Sequence, residues 1–526
     1  MNTPPVIWSI AGTDSGGGAG LAADQRAADA FGVHLCPVVA AVTAQSTTAV
    51  TRVDPVSPEL LDAQLAALAD DTPPRVIKTG LLGNAANARV VARWVDRLRA
   101  RAPLRLVVDP VLGASTGRGF VDEALLDAYR HQLLPRASLI TPNQREAVLL
   151  LGPQGSCDVP SMAATLRLLG AQAVVVTGGD AVTRGLSLDW IDTPHARGWL
   201  SLPRVDTAHN HGTGCTFASS VAAALALGFV GADAAVLAKM ATTHALRHAR
   251  AVGQGAGPVV AQQGFGTDPT LLPRLSLDTR PPVDWPTRER SRDPATDPGV
   301  YAIVDSANRV EAVLSTRPTV PTIQLRMKRP AGLPDASWSA LLTANIRRSQ
   351  RAARAAGATL VVNDHWQMAL QAGARALHLG QEDLLALTAK DLVRLETARD
   401  SGVQLGLSSH SLWELCRAAG MQPDLIACGP VWHTTTKDMP WVPQGLDNLA
   451  WWAHMAPAPV VGIGGLLDPA QLQAVATAGA AGGCVVRGLG EQPSLTLPAW
   501  LAAWSGGQAR RDSAAVPALP HPTLNP

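Results

Sequence analysis

Short apolar runs alternate with helical patterns along nearly the whole chain, and this rhythm fixes its fold class. In the first half, strand-like runs fall at 6–10, 34–43, 74–80, 104–109, 137–141 and 173–177. Helical patterns at 21–31, 58–70, 84–101, 121–134 and 160–170 separate them. Strand and helix in strict alternation give a mostly parallel sheet with helices on both faces, a three-layer α/β/α domain. In the second half, runs at 300–304, 322–326, 359–363, 375–379, 403–407, 424–428, 459–463 and 482–486 make eight candidates. Eight such units predict a TIM (β/α)8 barrel, with an open sheet as the competing reading.

The 526 residues exceed what one core organises. The pattern fails at 267–298, where Arg280-Pro-Pro-Val-Asp-Trp-Pro286 and the charged run to Pro294 read as a semi-extended linker. The expected organisation is therefore 1–266, linker 267–298, 299–505, and an unstructured tail 506–526. A net charge of +2 excludes a nucleic-acid or membrane surface as the organising partner. Six scattered cysteines without a CxxC pair, and a start lacking the regions of a signal peptide, point to a cytoplasmic protein. The apolar stretch 217–238, interrupted by Asp233, reads as buried helix.

His209-Asn-His-Gly-Thr-Gly-Cys-Thr216 runs into a small-residue helix. Such a turn aims several backbone N–H groups and the positive end of a helix dipole at one point, a socket for phosphate. Gly212 and Gly214 permit close approach. Cys215, on the first turn, is expected to have a lowered pKa and to deprotonate an acceptor hydroxyl. A metal cluster of His209, His211 and Cys215 lacks a fourth ligand nearby, and a plain tight turn is the other competing reading.

Polar residues also close the strands. The run 6–10 leads into Ala11-Gly-Thr-Asp-Ser-Gly-Gly-Gly-Ala-Gly20, which is no Walker loop. Gln45, Lys78, Asp109, Asn143 with Glu146 one turn on, and Thr177-Gly-Gly179 close the next ones. Asp109 and Glu146 suit Mg²⁺ carrying nucleotide phosphates.

Together with Ala22-Ala-Asp24, Val108-Asp-Pro110 and Leu139-Ile-Thr-Pro-Asn143, these motifs resemble hydroxymethylpyrimidine/phosphomethylpyrimidine kinase, of ribokinase-like fold, over about 5–265. Sugar-phosphorylating relatives carry Asp where this chain has Cys215. The resemblance implies Cys215 as general base and Gly212 and Gly214 as anion hole. It implies Gly12, Asp24 and Gln45 around the pyrimidine, and Asp109, Asn143, Glu146, Thr177 and Gly179 around Mg-ATP, with Glu146 a metal ligand. Thr177 stands where the family often has Lys, so Lys78 or water would supply that phosphate contact.

In the second half, reactive side chains sit at successive strand ends: Gln324, Arg326 and Lys328; Asn363-Asp364; Gly380-Gln-Glu-Asp383; Ser408 and His410; Thr434-Thr-Thr-Lys437; Gly464-Gly465; Arg487. In a closed barrel all face one mouth, suited to Mg²⁺ and a pyrophosphate. Gln324-Leu-Arg-Met-Lys328, Val362-Asn-Asp364, His378-Leu-Gly-Gln-Glu-Asp383, Gly406-Leu-Ser408 and Gly462-Ile-Gly-Gly465 resemble thiamine phosphate synthase over about 299–492. The resemblance implies Asp364 and Asp383 as magnesium ligands. Gln324, Arg326, Lys328, Asn363, Ser408 and Lys437 would take the pyrimidine pyrophosphate, with Arg326 and Lys437 catalytic. Thr434, Thr436, Gly465, Val485, Val486 and Arg487 would take the thiazole phosphate. Met327 replaces a usual Glu, and Arg487 a usual Ser.

The combined expectation is a bifunctional thiamine-biosynthesis transferase whose first domain makes the pyrophosphate that the second consumes. Its cofactor would be Mg²⁺, with ATP as co-substrate; its partners are small molecules, and relatives of both folds imply a homodimer. The alternative is a pyridoxine-type vitamin kinase fused to a non-catalytic thiamine-phosphate-binding barrel.

Overall fold

The computed structural model describes residues 3–113, 122–152, 158–179, 185–285, 297–434, 439–511 and 514–525. The chain divides into two compact units, residues 1–286 with 525–526, and 287–524.

The first unit is built on ten strands: β1 (Val6–Gly12), β2 (His34–Gln45), β3 (Val50–Pro55), β4 (Val76–Thr79), β5 (Arg105–Val108), β6 (Leu139–Ile140), β7 (Val174–Val176), β8 (Leu186–Asp192), β9 (Arg197–Pro203) and β10 (Arg274–Leu275). Their order is β10-β9-β8-β7-β6-β5-β4-β1-β2-β3. The strands from β2 to β7 are parallel, while β3 at one edge and β8–β10 at the other run antiparallel. The chain leaves β1 toward β2 and returns to its other side at β4. Beyond the carboxyl ends of β1 and β4 is therefore a topological switch point, where open α/β sheets bind ligands. This is the mostly parallel sheet expected from the alternation.

The hairpin β8–β9 and strands β3 and β10 were not expected. Strand β10 lies in the stretch read as linker, because Leu271, Leu272 and Leu275 between its prolines are buried. Beside it, the Arg274 guanidinium sits 3.9 Å from the Trp285 ring centroid. The apolar stretch 217–238 is likewise two helices, Thr213–Ala226 and Gly231–Arg247, separated by a turn in which Gly228 has φ +99°.

The second unit is a closed parallel barrel of eight strands: β11 (Gly299–Val304), β12 (Thr322–Leu325), β13 (Thr359–Asn363), β14 (Ala376–Leu379), β15 (Gln404–Ser409), β16 (Leu425–Cys428), β17 (Val460–Gly462) and β18 (Gly482–Val485). Pairing of β18 with β11 closes it. Alternate residues point inward: Tyr301, Ile303, Val361, Ala376, Ala427, Val461 and Cys484 fill the lumen. The stretch from 506, expected to be unstructured, is not. A helix runs over Pro493–Gln508, and beyond it Thr523 is buried and His521 exchanges hydrogen bonds with Asn448. Among the described residues no helix is long and apolar enough to cross a membrane.

Candidate functional sites

In the first unit the glycine loop after β1 and the start of the Thr213–Ala226 helix interlock. Asp14 accepts hydrogen bonds from the N–H groups of Gly16, Gly18 and Ala19 at 2.8, 3.0 and 2.7 Å. Its Oδ2 lies 2.8 Å from His211 Nε2. Burial pushes the Asp14 carboxyl up, but His211 and the loop N–H groups outweigh it and hold it below its ordinary value. A Cβ on Gly18 would lie 2.2 Å from the His211 ring, and one on Gly212, at φ +86°, 2.2 Å from the Gly18 carbonyl. The glycines of both motifs thus serve one contact.

Gln45 Nε2 lies 3.2 Å from the same His211 nitrogen. Because Asp14 can only accept there, that nitrogen carries the proton. The Gln45 amide is then best turned with its oxygen to His211 and its NH₂ to the Thr43 hydroxyl, which itself donates to the Thr13 carbonyl.

The helix opens on Gly212 with no side-chain cap, and Gly214 is exposed with no atom within 4 Å of where a Cβ would stand. The Thr213 N–H donates to the Asn210 carbonyl at 3.3 Å, and the N–H groups of Gly214 and Cys215 on the same turn have no intrahelical partner to bond. Half-buried Cys215 sits on that turn. The expected lowering of its pKa is overturned: the thiol is pushed up to about 12, chiefly by burial, with Lys78 opposing the rise and Asp24 and Asp109 adding to it.

Asp24, expected around the pyrimidine, is held by side chains of the protein itself. It is fully buried and accepts from Ser9 Oγ at 2.6 Å, Ser219 Oγ at 2.8 Å and Lys78 Nζ at 2.9 Å. Lys78, also sealed, lies 3.7 Å from Asp109, so it cannot replace the phosphate-binding lysine absent at Thr177. Asp109 is buried with Oδ2 lacking a hydrogen-bond partner. Burial raises its carboxyl to about 6 against the pull of Lys78, with Asp24 adding to the rise.

Asn143 and Glu146 form a capping box on the helix Gln144–Leu151, with reciprocal bonds of 2.9 Å. Asn143 also bridges to Thr177, whose neighbour Gly178 donates to Asp189. Asp109 and Glu146 both act on buried Tyr129, raising its pKa after burial itself, which places the two carboxylates around one side chain. Gly179 is exposed at the same edge.

In the barrel, inward positions at the strand ends converge on one mouth. Gln324 is buried and donates to the Tyr301 hydroxyl at 3.1 Å. Arg326 is half-buried and Lys328 exposed; the carbonyl of Met327 accepts from His365 Nε2 at 3.1 Å. Asn363 is buried in register with His378. Asp364 adopts φ +62°, a left-handed conformation costly for any residue but glycine and best tolerated by Asn and Asp. Its carboxyl is raised by burial and then by Asp383, which lies within hydrogen-bonding reach, while Arg326 opposes the rise.

The two carboxylates line one cavity of about 300 Å³ with His365, Trp366 and Asp391. Two carboxylates facing one cavity suit Mg²⁺, which takes one or two protein oxygens and completes its shell with water and phosphate. Among the described residues no group of three or more metal-ligating side chains exists.

Ser408 Oγ lies 2.9 Å from His378 Nε2. Burial lowers the His378 pKa to about 4, with Arg326 and His410 adding to the fall. Gly464 and Gly465 take φ +95° and +75°, and a Cβ on either would strike Pro430 or Trp432. Val485 is fully buried and Val486 packs on the lumen, so only their backbone could meet a phosphate; Arg487 is exposed beside them. Thr434 is half-buried, while Thr436 and Lys437 lie outside the described residues.

The phosphomethylpyrimidine kinase family matches residues 14–260 and the thiamine monophosphate synthase family residues 296–489. The chain is 32% identical over 478 residues to the chloroplastic thiamine biosynthetic bifunctional enzyme of Arabidopsis thaliana, covering 88% of this chain and 85% of that one. It belongs to the thiamine biosynthetic bifunctional enzymes.

Within that family, the kinase half is also 42% identical over 259 residues to hydroxymethylpyrimidine/phosphomethylpyrimidine kinase of Synechococcus elongatus, covering 48% of this chain and 96% of that one. The pyridoxal kinase of Staphylococcus aureus in complex with AMP-PCP and pyridoxal is similar to 49% of this chain at 28% identity, covering 93% of that chain with a TM-score of 0.44. A match that runs through both halves of a bifunctional relative disfavours the alternative of a B6-type kinase on an inactive barrel. Sequence reasoning about this thiamine biosynthetic enzyme missed the Asp14–His211 latch and Arg26, which donates to the Gly17 carbonyl at 3.0 Å. Asp14 lay within a quoted motif, but nothing local in the sequence joins it to His211.

Proposed function

We propose that the first unit phosphorylates hydroxymethylpyrimidine and then its phosphate, with ATP as donor. The barrel then joins the resulting pyrophosphate to thiazole phosphate, giving thiamine phosphate and pyrophosphate. One observation carries the reading. An uncapped helix start bearing Cys215 occurs in the same chain as a barrel mouth where Asp364 and Asp383 face each other beside Arg326. A cytoplasmic location and a homodimer belong to the same reading.

In the kinase, the acceptor oxygen attacks the γ-phosphorus as the bond to the ADP oxygen breaks. The N–H groups of Gly212 and Gly214 receive the charge that spreads over the phosphoryl oxygens. Cys215 takes the acceptor proton. The resting thiol holds its own proton, so this role draws on a thiolate fraction that Lys78 favours and two carboxylates oppose. Gly12 and Gln45 border the pyrimidine; Asn143, Glu146, Thr177 and Gly179 border the nucleotide.

In the synthase, Arg326, Lys328, Asn363 and Ser408, with Lys437, hold the pyrophosphate, and Gln324 faces the pyrimidine. The C–O bond to the pyrimidine methylene breaks with both electrons going to the pyrophosphate oxygen. The thiazole nitrogen then forms the C–N bond with its lone pair. Gly465, Thr434, Thr436, Arg487 and the Val485–Val486 backbone hold the thiazole phosphate. Magnesium, carried near Asp109 and Glu146 in one unit and by Asp364 and Asp383 in the other, supplies charge neutralisation when bound.

The test is to give the whole chain hydroxymethylpyrimidine, ATP, Mg²⁺ and thiazole phosphate and to measure thiamine phosphate. Cys215→Ala should abolish product, and added pyrimidine pyrophosphate should restore it. Full activity in Cys215→Ala, or no rescue, overturns the assignment.

A further inference from the structure

Ser408 is gripped on both sides by one short motif, His378-Leu-Gly-Gln381. From β14, His378 Nε2 approaches the Ser408 hydroxyl at 2.9 Å. Three residues on, Gln381 Nε2 donates to the Ser408 carbonyl at 2.7 Å. The orientation of the Gln381 amide is itself fixed, because its Oε1 accepts from buried Arg417 Nη1 at 2.9 Å. Both His378 and Gln381 are 7% exposed, so neither is a surface group that happens to lie near.

The far side of the His378 ring decides which way the protons point. Nδ1 is buried without a hydrogen-bond partner. It faces Gly406, where a Cβ would lie only 2.6 Å away. The missing side chain at Gly406, two residues before Ser408 on the same face of β15, is what makes room for the ring. A proton on Nδ1 alone would bury an N–H against a CH₂ group and forfeit its hydration, which costs about 1–3 kcal/mol. A lone pair there meets the Gly406 Cα–H as a weak acceptor, and the proton then sits on Nε2. A doubly protonated ring would also present Nε2–H to Ser408, so the conclusion does not depend on the charge of the ring. In either case Ser408 Oγ accepts from the imidazole, and its own hydrogen is turned away from the ring, toward the mouth.

We infer that His378 and Gln381 are positioning residues that hold Ser408 as an obligate hydrogen-bond donor to an oxygen of the pyrimidine pyrophosphate. This rests on the reading of Ser408 given above. The hydroxyl hydrogen turned to the mouth donates only to an electron-rich acceptor, which a phosphate oxygen supplies. The device works without any movement of Ser408 when substrate arrives, as a preorganised donor should.

The test is a double-mutant cycle in the full-length enzyme, read by synthase kinetics with each substrate varied. Ser408→Ala should raise KM for the pyrimidine pyrophosphate about tenfold, the loss of one hydrogen bond to a charged group, and leave KM for thiazole phosphate unchanged. His378→Leu should give a similar rise, and the double variant no further loss. His378→Gln, whose amide can still donate, should recover most of the effect. Should His378→Leu fail to fold, Gly406→Ala takes its place, since the added methyl displaces the ring. Additive losses in the cycle, or an unchanged KM in His378→Leu, overturn the inference while leaving the site assignment standing. An unchanged KM in Ser408→Ala removes Ser408 from the pyrophosphate site and overturns both.

Discussion

Lys78 Nζ lies 2.9 Å from Asp24 Oδ1 with neither side chain exposed. Close to this sealed pair, the thiol of Cys215 feels both charges. An ion pair in such a place is costly to break from one side, because the surviving charge stays buried.

Lys78→Met should therefore destabilise the first unit by about 3–5 kcal/mol, read from the denaturant midpoint at which kinase activity is lost. Asp24→Asn separates a structural from a binding role. It should lower kcat of the kinase with little change in KM for hydroxymethylpyrimidine, since Asp24 is bonded to Ser9, Lys78 and Ser219 and has no surface for substrate. A rise in KM alone would restore Asp24 to the pyrimidine pocket.

The thiol itself gives a pH prediction. Burial raises the Cys215 pKa to about 12, so the reactive thiolate is scarce at neutral pH and grows as pH rises. Alkylation of the substrate-free enzyme by iodoacetamide, followed at Cys215 by mass spectrometry, should be slow at pH 7. Its rate should rise about tenfold per pH unit without a plateau below pH 10. Cys36, Cys416, Cys428 and Cys484 are buried and should lag behind it. A plateau near pH 7 would show a thiolate already formed.

The interlock of the two glycine motifs can be probed at one atom. Gly212→Ala forces a methyl to within 2.2 Å of the Gly18 carbonyl at a backbone φ of +86°. Kinase activity should fall at least a hundredfold while synthase activity is kept. His211→Asn loses the 2.8 Å bond to Asp14 without a clash and should cost about tenfold, mostly in KM for the pyrimidine. If the two variants behave alike, the loop is not held as described.

How much of this was legible in the sequence follows from the range of each interaction. The eight barrel strands were readable because each is a local apolar run, and their polar ends share one mouth by the geometry of any closed barrel. The β8–β9 hairpin was missed because Leu186–Asp192 and Arg197–Pro203 carry buried polar residues, Asp189, Asp192 and Ser201, whose partners Lys239, Arg167 and the Arg274 carbonyl are distant in sequence. Cys215 was placed correctly on an open helix start, yet the sign of its shift was wrong. The helix start is local, whereas the burial that dominates the shift, and the Lys78, Asp24 and Asp109 charges that adjust it, come from distant segments. The sealing of Asp24 was illegible for the same reason: nothing near it in sequence announces Lys78, 54 residues away, as its partner.

The closing segment gives the last prediction. Asn448 and His521 exchange two hydrogen bonds of 3.1 and 2.8 Å, and His521 Nε2 donates to the Gln444 carbonyl at 2.9 Å. Val442 donates to Thr523, and the Gln444 side chain passes the restraint on by donating to the His410 carbonyl at 2.7 Å. That carbonyl lies two residues beyond Ser408, so the C-terminal segment braces the stem that follows Thr434-Thr-Thr-Lys437. Removing residues 514–526 exposes these groups to water and forfeits three to four hydrogen bonds, each worth about 1 kcal/mol net. Synthase activity should then be lost at a denaturant concentration lower by the equivalent of about 2–4 kcal/mol. Asn448→Ala in the intact chain should reproduce about half of that loss. An unchanged midpoint in both variants would mean that the segment rests on the barrel without supporting it.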